Sequence, residues 1–214
     1  MTSLQDIKAS YAGERCESGL KDPWAHYVAR PLSFYIAWPL IRLGISANKV
    51  TVAGLGVGII GCAFLAHGSY WGIVLGAVLV NIYGLSDYVD GAIARATDTA
   101  SEYGARIDGA SYLIVLSLLF VAVGLGMREP LYMMLGIAAS YIRVFRYAMT
   151  YQHGVVGESA GTNIFYRLGI VAITAREPLL LVCAITSTLN WFLVFYVAIH
   201  LGELAVILAR VFRR

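Results

Sequence analysis

From Val50 through Ser86 the chain carries no Asp, Glu, Lys or Arg, an uninterrupted stretch of 37 residues. A single bilayer-spanning helix needs about 20 apolar residues, so this run is long enough for two spans and a short turn. His67-Gly68-Ser69-Tyr70 is the natural place for that turn. Further charge-free runs cover Gly109–Met127, Pro130–Ile142 and Pro178–Gly202, the last with a turn expected near Ser187–Asn190. With 59% hydrophobic and 14% charged residues, the composition excludes an ordinary water-soluble domain. Backbone polar groups in lipid must be satisfied within the segment, which selects helices. The expected fold is therefore an all-α integral membrane protein with six transmembrane helices, at 50–67, 71–94, 106–127, 130–150, 177–189 and 191–209. Glycines 54, 56, 58 and 61 suit close helix contact, or lipid-facing filler.

The N-terminal residues 1–29 are polar and lack the apolar core of a signal peptide. They are expected to form a cytoplasmic segment, separate from a membrane domain at 30–214. In 30–44, Leu32, Tyr35, Ile36, Pro39, Leu40 and Leu43 make an apolar face flanked by Arg30 and Arg42. That pattern predicts an amphipathic helix lying in the membrane interface, with Pro39 disfavouring a straight span. If both termini lie in the cytoplasm, 15 of the 16 basic residues fall on that side, and only Arg128 lies outside. This satisfies the positive-inside rule. The net charge of +3 then reports orientation; no nucleic-acid-binding motif is visible. Cys16, Cys62 and Cys183 have no metal-type spacing. The four histidines, His26, His67, His153 and His200, are scattered and are expected at interfaces or in loops.

Charged residues at the edge of such segments need partners or a function. Asp87, Asp90, Gly91 and Ala94 are three or four apart and share one helix face. Two carboxylates beside two very small residues suit a hard divalent cation and a phosphate ligand that approaches the backbone closely. Arg95, Gly104 and Asp108 follow. A charge-pair cluster of Asp87, Asp90 and Asp108 with Arg95 and Arg106 is the competing structural reading.

The pattern Asp87-x2-Asp90-Gly91-x2-Ala94-Arg95-x8-Gly104-x3-Asp108 resembles the signature of the CDP-alcohol phosphotransferase (phosphatidyltransferase) family, matching seven of its eight fixed positions. The last position, an aspartate in the family, is Tyr112 here. Ser46-Ala-Asn48-Lys49-Val50-Thr51 also resembles the segment that leads into the family's first span. The resemblance implies Mg²⁺- or Mn²⁺-dependent transfer of a substituted phosphate from a CDP-linked donor to an alcohol, releasing CMP, in phospholipid or polar-lipid synthesis. It implies Asp87, Asp90 and Asp108 as metal ligands. Gly91, Ala94, Arg95 and Gly104 would border the nucleotide, and Asp108 and Tyr112 would take the catalytic positions. Arg143 and Arg146, three apart on one face, would hold a phosphorylated acceptor; membrane anchoring by positive charge explains them equally. The site would open to the cytoplasm, with membrane lipid at hand, and a homodimer is implied. The compact chain is closer to microbial than to larger eukaryotic members.

Tyr112 lies on the same helix face as Asp108. A phenol is a far weaker base than a carboxylate and offers one oxygen rather than two. Another base, such as Asp108 or Glu102, an unusual acceptor, or a homologue that binds metal and nucleotide as a scaffold without turnover all follow from that change. A small transporter is a further alternative, disfavoured because the acidic residues gather at one end of two spans. The segment 154–175 is expected as an interfacial loop or a lid.

Overall fold

A computed structural model describes residues 3–11, 24–153 and 175–211, and every regular element in them is helical. The helices are α1 (Leu4–Ala9), α2 (Arg30–Arg42), α3 (Ala47–His67), α4 (Tyr70–Ala96), α5 (Glu102–Gly126), α6 (Pro130–His153), α7 (Arg176–Ile185) and α8 (Leu189–Val211). A π-helical turn at Ala25–Ala29 runs directly into α2. Each expected span overlaps one helix from α3 to α8, although the fifth, expected at 177–189, stops at Ile185. Four helices, α3, α4, α5 and the Leu189–Val206 part of α8, have the length and hydropathy to cross a membrane. The apolar part of α6, Pro130–Phe145, is shorter. At 10 residues, α7 rises only about 15 Å, half of a hydrocarbon layer of about 30 Å. The expected count of six therefore exceeds the four helices that meet both criteria among the described residues.

The turns fall where expected, for a local reason. Gly68 has φ +74°, a left-handed conformation that costs glycine little. Ser69 Oγ then accepts from Gly72 N at 3.2 Å, capping α4. The Thr186–Thr188 turn uses Ser187 at φ 57°.

The chain divides into two compact units, Met1–Ile60 with Leu79–Ile114, and Gly61–Val78 with Val115–Arg214. The first unit contains the core cluster Ile7, Tyr11, Phe34, Ala37, Ala47, Val89, Ala92 and Ile93. In α2, Ser33, Phe34 and Ala37 are buried, while Leu32 and Tyr35 of the expected apolar face, and Leu43 just after the helix, are exposed. Helix α1 packs Ile7 into this core. A capping box starts it: Asp6 N donates to Ser3 Oγ, and Ser3 N donates to Asp6 Oδ2 at 2.7 Å. Those hydrogen bonds hold the exposed Asp6 carboxyl below the usual carboxylate range. A Cβ at Gly54 would meet the side chain of Ser86, whereas Gly56 faces open space, so the glycine run divides between contact and filler.

In the second unit, Phe120 of α5 stacks with Phe192 and tilts against Tyr196 of α8, at 6.4 and 5.6 Å between ring centroids. His200 corrects the sequence expectation. It is 2% exposed, its ring meets Phe120 edge-on, and Nδ1 lies 3.2 Å from Glu203 Oε2. Gly76 marks a backbone contact missed in the sequence: a Cβ there would lie 2.6 Å from the Gly61 carbonyl oxygen and 2.7 Å from Leu65 N. Gly76→Ala is expected to destabilise the protein by about 2 kcal/mol, because backbone has to move to admit the methyl. Thermal unfolding in detergent checks this; an unchanged midpoint would refute the contact.

Candidate metal centre

Helix α4 delivers Asp87 and Asp90 from adjacent turns, and the first turns of α5 deliver Asp108. Only short-range helical geometry relates the first two. The tertiary fold brings the third to them: one carboxylate oxygen from each of Asp87, Asp90 and Asp108 lies within 4.8 Å of the others. Asp90 is 7% exposed and the other two are half-buried. Oxygens bound to one Mg²⁺ at about 2.1 Å stand at most about 4.2 Å apart, so small side-chain rotations would close the trio on a cation. Three hard oxygen donors from carboxylates are chemically suited to Mg²⁺ or Mn²⁺.

Thr51 of α3 lies beside the trio. Its hydroxyl is 2.5 Å from Asp90 Oδ2 and 3.2 Å from the Ala47 carbonyl oxygen. A buried carboxylate needs such a donor. Sequence reasoning assigned Thr51 no role, although the segment that contains it was the available signal. Thr51→Val is expected to weaken divalent-cation affinity by roughly 10- to 100-fold, as for other residues that orient a ligand. Titration with Mn²⁺ reads this, and unchanged affinity would dismiss the contact.

A cleft of about 180 Å³ opens on the cluster, lined by Thr51, Asp90, Gly91, Ala94, Gly104 and Asp108 among others. The small residues singled out in the sequence thus line one cavity with two of the carboxylates. Asn48, also on its wall, had no assigned role. A Cβ at Gly104 would stand 3.1 Å from Asn48 Oδ1 and one at Gly91 3.0 Å from Arg95 Nη1. Arg95 thus packs beside Gly91, a residue of the cleft wall. Arg106 forms an exposed ion pair with Glu102 at 3.4 Å. Tyr112 is half-buried one turn beyond Asp108 on α5. In the second unit, Arg143 is buried on α6. The Arg146 side chain and residues 154–174, which hold nearly all of the expected loop or lid, lie outside the described residues.

The fold and the site define a helical membrane protein with a cluster of three carboxylates that could hold a metal ion, beside a cleft. The chain belongs to the CDP-alcohol phosphatidyltransferase family, whose family model matches residues 45–199. Members of this family are transferases of phospholipid synthesis. A 78-residue stretch, 36% of this chain, is 36% identical to phosphatidylinositol phosphate synthase of Mycolicibacterium smegmatis and spans 34% of that protein. The fold is similar to crystal structures of Mycobacterium tuberculosis phosphatidylinositol phosphate synthase. The complex with manganese and citrate has a TM-score of 0.56 at 16% identity, covering 84% of this chain and 88% of that one. The form with CDP-DAG bound gives 0.56 at 19%, covering 84% and 93%.

Proposed function

We propose that this protein transfers a substituted phosphate from a CDP-linked donor to an alcohol with release of CMP, using Mg²⁺ or Mn²⁺. One observation carries the reading: three motif carboxylates converge within 4.8 Å beside a cleft walled by the motif's small residues. CDP-diacylglycerol is the first donor to test, because a relative of similar fold has CDP-DAG bound. A bound cation would neutralise charge on the donor diphosphate and on the departing CMP.

Asp87, Asp90 and Asp108 hold the cation in this reading. Gly91, Ala94 and Gly104 leave room for the nucleotide, and Arg95 meets its phosphates. The acceptor oxygen bonds to the phosphorus that carries the transferred group, the bond from that phosphorus to the bridging oxygen breaks, and CMP leaves. The hydroxyl proton passes to Asp108, with Tyr112 beside it. Loose phosphoryl transfer asks little of a base, which favours turnover despite the missing aspartate. Arg143 and Arg146 are assigned to a phosphorylated acceptor; burial of Arg143 supports a role beyond surface anchoring.

The protein is assigned to a microbial cell membrane as a homodimer, with both termini and the site cytoplasmic. Residues 1–29 form the cytoplasmic segment and 30–214 the membrane domain, with α2 as its interfacial helix and six spans, to the fifth of which α7 contributes only a part. The length of α6, 24 residues, supports the fourth span. Purified protein supplied with Mn²⁺ or Mg²⁺, CDP-diacylglycerol or small CDP-alcohols and a panel of alcohols is expected to release CMP only when metal, donor and acceptor are all present. Failure across the panel would reject the enzyme.

Tyr112 motivates a second reading, a scaffold that binds metal and nucleotide without turnover. Cation-dependent nucleotide binding with no CMP release would select it. A transporter would instead show solute flux.

A further inference from the structure

We propose that Tyr11 is a positioning residue for Arg95, so that the N-terminal helix sets how the donor phosphates are gripped. The inference deepens the transferase reading above and rests on it for its kinetic form. Tyr11 lies outside the residues that the family model matches, so membership gives it no role.

Its placement is built rather than incidental. The capping box fixes the start of α1, Ile7 is 0% exposed, and Tyr11 is 8% exposed with its ring 6.1 Å from that of Phe34. The same core contains Val89, Ala92 and Ile93 of α4, the helix that also carries Asp87, Asp90, Gly91 and Arg95. The Arg95 guanidinium carbon stands 5.9 Å from the Tyr11 ring centroid, and that of Arg30 stands 4.3 Å from it. Arg95 Nη1 also lies over Gly91, where an added Cβ would come within 3.0 Å. The guanidinium therefore lies near both the Tyr11 ring and the motif glycine, where no side chain intervenes.

Two consequences follow. Arginine loses much rotamer freedom when it grips a ligand, and a ring that pre-orders it reduces that cost at binding. Aromatic faces suit guanidinium for this purpose, by stacking and by the attraction of cation to ring quadrupole. Two guanidinium groups gathered on one ring also repel each other, and a diphosphate ester in the cleft that Gly91 lines would relieve that repulsion once Arg95 turns to it. The chemistry recognised is a doubly negative phosphate ester.

Tyr11→Phe, followed by incorporation of mono-, di- and trifluorinated phenylalanine at position 11 of the full chain, weakens the quadrupole while nearly preserving volume. Donor KM is expected to rise step by step, to about fivefold for the trifluoro ring, with acceptor KM, kcat and thermal midpoint unchanged. A flat donor KM, or donor and acceptor KM rising together as the midpoint falls, would overturn the assignment. If the wild-type protein releases no CMP, the transferase reading fails on its own account. The same series is then read by Mn²⁺-dependent affinity for CDP-diacylglycerol: affinity falling stepwise supports the positioning role, and constant affinity overturns it.

Discussion

Asp90→Asn is expected to lower metal-dependent CMP release on the order of 10³-fold, the scale set by removing one preorganised charge-stabilising group. Asp90 is the most buried of the trio and accepts from Thr51 at 2.5 Å, so no other carboxylate among the described residues can take its place without moving. The same substitution carries an opposite effect on stability. Three carboxylates with oxygens within 4.8 Å repel when no cation is bound, by roughly 3 kcal/mol per ionised pair at an effective dielectric of about 20. In chelator, Asp90→Asn should therefore unfold at a higher temperature than wild type. Added Mn²⁺ should raise the wild-type midpoint, since binding at 100 times Kd stabilises by about 2.7 kcal/mol, and should leave the variant nearly unmoved. Thermal unfolding with and without metal, paired with CMP assays, reads both. A variant that keeps its activity and its metal response would remove the trio from the mechanism.

The second large effect concerns Tyr112. Tyr112→Asp restores the fourth carboxylate, one helical turn beyond Asp108 and on its face. General-base assistance is worth about 10²–10⁴ in rate, and part of that is already supplied if Asp108 accepts the proton. A rise in kcat of about 10²-fold is the expected outcome, with a further loss of stability in chelator from the added charge. Steady-state CMP release measures it. Turnover that appears only in the variant would establish the wild-type chain as a binding scaffold. A fall in turnover would mean that the phenol fits this site better than a carboxylate does, and would overturn the view of Tyr112 as the weak point.

Much of the architecture was legible because its determinants are local. The charge-free run from Val50 to Ser86 became α3 and α4, and the turn between them sits at the expected glycine because φ +74° at Gly68 is a property of one residue. The short α7 was harder, since its 10 residues adjoin a mixed polar segment with no clean period. Contacts that depend on packing left no pattern. Thr51 and Asp90 are 39 positions apart. Ile7 and Tyr11 sit in a polar stretch that reads as solvent-exposed until they meet Phe34 and Ile93. His200 reads as a scattered histidine until Phe120 and Glu203 surround it.

By itself the sequence determined that the chain is helical and membrane-embedded, and that two carboxylates share one helix face. Hydropathy over a span and side-chain direction over four residues act within a single segment, so one segment suffices to read them. Only the tertiary structure decided that Asp108 joins Asp87 and Asp90, that Thr51 serves Asp90, and that Tyr11 faces Arg95. Those meetings arise from how distant helices pack, and the packing optimises many contacts together, none of which is encoded in the spacing of the residues that finally touch.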